Sequence, residues 1–246
     1  MLKPRIMIES HPLCKPPADQ ETRIWKYLDF PKFMDLITSQ GLYFCRFDKF
    51  EDPFEGSLPK NSIAERNKQL NYLKEIGKKP PEEKFWIDLN IEFKKKFAAN
   101  CWHMSQYESY AMWKIYTKSN EGVAIQSTYK RLFECLDNTP NKAYLSAIKY
   151  IDFEYNTIDW GNRLAPFLHK MRSYHFEEEL RAIITDTENY NLSEGGCKVK
   201  VDLKILIEKV YIAPGSPKWF KKLINNILEN SNLNINNSDL DNVPVF

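Results

Sequence analysis

Ile24-Trp25-Lys26-Tyr27, Asp29-Phe30-Pro31 and Leu42-Tyr43-Phe44-Cys45-Arg46 follow one another within a short stretch of chain. The first is a β-like run. The second is a helix start, with Asp29 or Phe30 near the cap and Pro31 in the first turn. Phe33, Leu36 and Ile37 then share a helical face that ends at Gln40-Gly41, where Gly41 suits a left-handed stop. The third run is a compact strand.

Working outward, Leu70, Leu73 and Ile76 stand at helical spacing, and Gly77-Lys78-Lys79-Pro80-Pro81 breaks the pattern before a second helix over 82–96. The spacing therefore predicts a helical hairpin inserted at about 61–96. Strands are predicted over 97–103, 122–127, 143–153, 180–184 and 210–213, with 197–201 as the hairpin partner of 180–184. Helices are predicted over 110–116, 129–136, 164–174 and 218–229. Strands outnumber those of a regular βαβ alternation and helices cluster early. The expected class is mixed α+β, mainly antiparallel central sheets with flanking helices. Proline-spotted residues 1–21 read as a loose N-terminal arm, 22–229 as a single domain, and Asn-rich 230–246 as a loose tail.

Composition narrows the function classes. Hydrophobic residues make up 43% of the 246 and aromatics 14%, enough to bury a substantial core. With eight glycines, no G-x-G-x-x-G and no G-x-x-x-x-G-K-S/T, a glycine-rich phosphate loop is excluded. Net charge is +2, from 35 basic and 33 acidic residues, so no global field commits the chain to nucleic acid or membrane. The basic runs Lys94-Lys95-Lys96 and Lys221-Lys222 read as solvated helix faces. Five scattered cysteines without a C-x-x-C, and no leader or membrane-length apolar run, predict a cytoplasmic protein without membrane contact.

Three constellations carry polar chemistry. Arg46 leads into Asp52-Pro53-Phe54-Glu55-Gly56, a proline-pinned loop that presents two carboxylates; on spacing alone an ordinary acidic turn, with Asp52 capping local amides, is the simpler account. Between Cys101 and Tyr116, Trp102, Trp113 and Tyr116 supply aromatic faces, and Ser105, Gln106 and Ser109 supply hydrogen bonds, a mix suited to a flat heteroaromatic ligand. Core packing is the competing account of Met112 and Trp113. In Glu177-Glu178-Glu179-Leu180-Arg181, period-two alternation puts Glu177, Glu179 and Arg181 on one face, as either a functional cluster or a structural ion-pair ladder. The sharp expectation is that Asp52 and Glu177 meet, balanced by Arg46 and Arg181. No metal-ligand spacing is present among the histidines. Cys101 and His103 form the one nucleophilic pairing the spacing permits, though an adjacent buried thiol is usually inert.

Taken in order, Trp25-Lys26-Tyr27, Gly41-Leu42-Tyr43-Phe44, Asp52-Pro53-Phe54-Glu55, Met112-Trp113-Lys114-Ile115-Tyr116, Gly122-Val123-Ala124-Ile125 and Glu177-x-Glu179-x-Arg181 resemble a widespread, mainly bacterial domain family of unknown function. The layout spans residues 24–215 and is similar to that of ADP-ribosyltransferase-like enzymes of toxin and phage-defence systems. That resemblance implies NAD as a substrate and a late-strand glutamate, Glu179 or Glu177, as the catalytic residue with Arg181 beside it. It implies that Lys26, Tyr27, Tyr43, Arg46, Trp102, Ser105, Ser109, Trp113 and Tyr116 line the NAD site, with Asp52 and Glu55 in support. Lys26 and Tyr27 stand where such enzymes carry a first-strand His or Arg, so Arg46 is assigned the cofactor-binding charge. The chemistry requires a fixed carboxylate beside a developing oxocarbenium ion. A nucleic-acid or protein acceptor is expected, together with a neutralising or sensor partner protein. Two other classes fit the residues: a metal-dependent nuclease or nucleotide hydrolase using Asp52, Glu55, Glu177 and Glu179 with Mg²⁺, and a non-enzymatic nucleotide-sensing or adaptor module.

Overall fold

A computed structural model describes residues 11–117, 119–137, 143–186, 191–229, 231 and 233–244. The chain runs β1 (Arg23–Asp29), α1 (Phe30–Ser39), β2 (Gly41–Arg46), α2 (Lys60–Glu75), α3 (Glu83–Lys96), β3 (Phe97–Met104) and α4 (Tyr110–Thr117). It continues through β4 (Gly122–Thr128), α5 (Tyr129–Asp137), β5 (Ala143–Ala147), β6 (Lys149–Ile151), β7 (His169–Met171) and β8 (Glu179–Thr185). It closes with β9 (Gly196–Lys200), α6 (Leu203–Leu206), β10 (Lys209–Ile212), α7 (Lys218–Leu228) and β11 (Asn234–Asn237). The class is mixed α+β, with a mostly antiparallel sheet, as expected.

Among the described residues, nine strands form the main sheet. β8 pairs with β3 from Phe97↔Thr185 to His103↔Glu179, which occupies one edge of β3 almost end to end. The other edge is therefore shared: β2 pairs at Ala98 and Ala99, β1 at His103 and Met104. The sheet forks between them, and the backbone of residues 100–102 is left without a strand partner on that edge. Side chains fill the gap. Asn100 donates to the Tyr43 carbonyl at 2.8 Å, and the Lys26 ammonium donates to the Cys101 carbonyl at 3.0 Å. Buried backbone acceptors need such partners.

One face of the sheet carries Ile24, Leu28, Phe44, Trp102, Ile125, Leu180 and Ile184 against α1, α5, α6 and α7. The other carries Trp25, Tyr27 and Ala124 against α4, and Ala99 and Ile183 against Phe47 and Phe167. Glu179 and Arg181 lie on this second face, because His103↔Glu179 and Cys101↔Arg181 are direct cross-strand pairs.

Several sequence expectations are corrected. Gln40, not Gly41, takes the left-handed stop of α1 (φ 49°), while Gly41 begins β2. Residues 164–174 do not form a helix. Two 3₁₀ turns flank the short strand β7, which pairs in parallel with β6, and this extended register turns Lys170 inward. The run 143–153 is divided between β5 and β6, in different sheets. β9 pairs with β2 rather than β8, both of whose edges are taken by β3 and β5. Within the expected tail, Asn234–Asn237 form β11, which pairs in parallel with β10. Residues 1–10 of the expected arm lie outside the described residues. Residue Lys15 docks on β5 through Ala147 N–H at 2.8 Å. Among the described residues no helix is long and apolar enough to cross a membrane.

Candidate active site

The loop after β2 turns sharply at Asp52, whose carboxylate accepts the Phe54 N–H at 2.9 Å and whose carbonyl accepts the Glu55 N–H at 3.2 Å. This turn drives Glu55 inward until 1% of it is exposed. Gly56 follows with φ +68°, where a Cβ would stand 2.5 Å from Phe167. Glu55 meets Arg181, which is 0% exposed.

All five Arg181 donors are used. Nε and one terminal nitrogen bind Glu179 at 2.7 and 2.8 Å. Both terminal nitrogens bind Glu55 at 3.0 Å, and one also reaches the Phe167 carbonyl at 2.9 Å. Phe47 and Phe50 lie against the guanidinium at 5.2 and 5.7 Å. Lys170 is the second cation. Its ammonium lies 2.6 Å from Glu177, 3.4 Å from Glu55 and 3.6 Å from Glu179, above the Tyr174 ring at 4.6 Å. Three carboxylates thus share two cations.

The environment separates the two late glutamates. Burial pushes the Glu179 carboxyl upward, but Arg181 and Lys170 together outweigh it and hold it at about 2. Both of its oxygens are committed, one to Arg181 Nε and the other to a terminal guanidinium nitrogen. Glu177 is raised instead, because burial outweighs Lys170. One of its oxygens takes Lys170; the other receives only the Tyr116 hydroxyl, at a long 3.4 Å. Tyr116 is 38% exposed, and Glu177 itself, at 7%, is the least buried of the three carboxylates, against 3% for Glu179 and 1% for Glu55. Burial pushes the Tyr116 phenol well up, and Glu177 adds to it, so the hydroxyl keeps its proton. Phe176, which precedes Glu177 in the chain, is 46% exposed.

The sequence-predicted residues divide accordingly. Glu55, Glu177, Glu179, Arg181 and Tyr116 come together. Asp52 does not meet Glu177: it holds the turn that delivers Glu55, and its second oxygen is buried without a hydrogen-bond partner. Arg46 is elsewhere, paired with Asp48 at 2.6 Å and bound to the Leu192 and Ser193 carbonyls. Trp102 faces the opposite side of the sheet and donates to Asn100. Lys26 lies at the fork, 5.4 Å from the Trp102 ring, and burial lowers its pKa to about 8. Tyr27 and Trp113 pack edge to face; the Tyr27 hydroxyl accepts the Ser109 N–H, and Trp113 donates to Glu108. Ser105 and Ser109 accept from the Tyr107 and Met112 N–H groups, and Tyr43 bonds to the Gly195 carbonyl.

Cys101 and His103 share a face but form no nucleophilic pair. Burial and Glu179 raise the thiol far above its ordinary value, and His103 Nδ1 contacts the Glu177 carbonyl at 2.7 Å. Lys170 escaped the sequence reading, since a lone lysine in a stretch of helical spacing carries no local signal. Comparison with protein-family models, with curated proteins and with solved structures finds no match for the chain.

Proposed function

We propose that the chain is an ADP-ribosyltransferase-like enzyme that uses NAD as a substrate, in the setting of a toxin or phage-defence effector with a nucleic-acid or protein acceptor. The observation that carries this reading is the uneven commitment of the two late glutamates. Glu179 is consumed by Arg181, whereas Glu177 is fixed by Lys170 on one oxygen and offers the other toward exposed Tyr116. A carboxylate held rigidly at the edge of a buried cluster is what cleavage through an oxocarbenium ion requires. Glu177 is the residue assigned to the ribose hydroxyl, and Tyr116 the ring that meets nicotinamide, in place of the buried Trp102 and Trp113. Lys170 and His103 hold Glu177 by its side chain and its carbonyl. Glu179 at the start of β8, a late strand within the forked, mainly antiparallel sheet, with Glu177 in the 3₁₀ turn just before it, supports the reading.

The test is incubation of the purified chain with NAD while nicotinamide release is followed. Release by the wild type and its loss in Glu177→Gln, with an unchanged circular-dichroism spectrum, supports the reading. No release by the wild type, together with undiminished cellular toxicity in Glu177→Gln, overturns it.

The convergence of Glu55, Glu177 and Glu179 gives the metal-dependent hydrolase reading its one support. Against it, Arg181 and Lys170 already sit among these carboxylates and would repel a divalent ion. No group of three or more side chains suited to a metal occurs among the described residues. Chelator-sensitive cleavage of nucleotides would favour it. Thermal stabilisation by NAD without turnover would favour the sensing module.

A further inference from the structure

Glu108 belongs to none of the clusters above, yet its carboxylate gathers three donors from two distant parts of the chain. Trp113 Nε1 of α4 donates at 2.8 Å, the Ser238 hydroxyl at 2.7 Å and the Asp239 N–H at 2.5 Å. The last two lie just beyond β11. Ser238 is 2% exposed, and its oxygen also accepts the Leu240 N–H at 3.1 Å, so it caps the closing 3₁₀ turn. Three residues after Ser238, Asp241 accepts the Gly215 N–H at 2.7 Å and pairs with Lys221 at 3.2 Å. Residues 234–241 therefore run along the outer edge of the sheet as a strap, fastened at β10, at Gly215 and Lys221, and at Glu108.

The strap is weak by its own chemistry. Asn234-Ile235-Asn236-Asn237 is rich in the residue type that strands avoid, and it occupies an outer edge. One Asn236 side-chain nitrogen is buried without a partner. Its contact with Glu108 is the strong part, since hydrogen bonds to an ionised carboxylate exceed neutral ones in strength. Glu108 stands two residues before α4, and Tyr116 lies in the last turn of that eight-residue helix. A helix so short, about 12 Å long, moves as a rod. Its other ties near this end are the Ser109 N–H to Tyr27 and the packing of Met112 and Trp113 among Trp25, Tyr27, Ala124 and Ala213.

We propose that residues 234–241 act as a strap that, through Glu108 as a positioning residue, fixes α4 and with it the approach of Tyr116 to Glu177. Release of the strap removes two of the three donors from Glu108 and leaves Trp113 alone to hold the carboxylate. The kinetic consequence rests on the proposed role of Glu177; the structural consequence does not.

The test uses the full-length chain with Ser238→Ala, Glu108→Ala and Glu108→Gln, read by hydrogen–deuterium exchange. Ser238→Ala lies far from Tyr116 and removes only the strap's side chain from the clamp. Exchange in both 234–241 and 110–117 is expected to accelerate about tenfold or more in Ser238→Ala and Glu108→Ala, while 179–185 keeps its protection. Glu108→Gln retains an acceptor and is expected to recover part of the protection. If Ser238→Ala accelerates 234–241 and leaves 110–117 unchanged, the strap does not position α4 and the proposal fails. Accelerated exchange across the whole chain would also overturn it, as plain destabilisation. If the wild type releases nicotinamide, Ser238→Ala is expected to lower kcat more than it raises KM. Absence of release in the wild type rejects the NAD reading alone, and the exchange result stands apart from it.

Discussion

Glu55 and Arg181, 126 positions apart, face each other through two hydrogen bonds of 3.0 Å with both side chains almost wholly excluded from solvent. Each presents a planar group to the other, the geometry in which guanidinium and carboxylate bind most strongly. Since Arg181 also grips Glu179 through two bonds, the pair ties the loop after β2 to β8 across the floor of the candidate site.

Arg181→Lys should be severely destabilising although the charge is kept. An ammonium has three donors and no fork, so Glu55 and Glu179 cannot both be satisfied. A loss of about 3 to 5 kcal/mol is expected from urea unfolding. A loss below about 1 kcal/mol would show that the pair does not hold the loop.

Acid should weaken the fold through Glu179. Its pKa is about 2 in the fold against an ordinary 4.5. A depressed carboxyl contributes stability above 4.5 and loses it as pH falls toward 2, on the order of 3 kcal/mol in all. Glu177, raised in the fold, works in the opposite sense, losing its contribution as pH rises from 4.5. Urea midpoints of the wild type should fall between pH 4.5 and 2.5. In Glu179→Gln, already weaker at pH 6, that component should be absent.

Lys26 gives an alkaline signature of the same sign as Glu179. Its pKa is lowered from 10.5 to about 8, chiefly by burial. A group depressed in the fold contributes stability above 10.5 and loses it as pH falls through 8, so the wild type gains from this residue between pH 8 and 10.5. Lys26→Met cannot show that gain. The difference in Tm between wild type and Lys26→Met should therefore move in favour of the wild type as pH rises from 7.5 to 10.

Gly56 and Gly77 both have positive φ, +68° and +77°, yet they should respond differently to alanine. A Cβ at Gly56 meets Phe167 at 2.5 Å; at Gly77 it meets nothing within 4 Å. Gly56→Ala is expected to cost about 2 to 4 kcal/mol, from left-handed strain plus overpacking, and Gly77→Ala about 1 kcal/mol from strain alone. Equal thermal shifts would contradict the packing account of Gly56.

Local patterns made much of the fold legible. Asp29-Phe30-Pro31 marks the start of α1 because a cap and a proline act within one turn, and the Asp29 side chain does accept the Lys32 N–H. Glu179 and Arg181 were readable as one face because strand side chains alternate whatever the strand pairs with. Residues 164–174 misled, since Leu164, Phe167 and Leu168 stand at helical spacing while serving as plugs around Phe47. The partner of β9 was not legible either, as pairing between distant edges leaves no local mark.

By itself, then, the sequence determined most of the strands and helices, though not residues 164–174, and that Asp52-Pro53-Phe54-Glu55-Gly56 and Glu177-x-Glu179-x-Arg181 are its polar foci. Those follow from forces acting over a few residues. Only the tertiary structure decided that Glu55 rather than Asp52 reaches Arg181, that Lys170 joins them, and that Arg46, Trp102 and Trp113 stand apart. Those outcomes depend on which charges the packed chain strips of water together, and a buried carboxylate must then find a cation from wherever the fold can bring one.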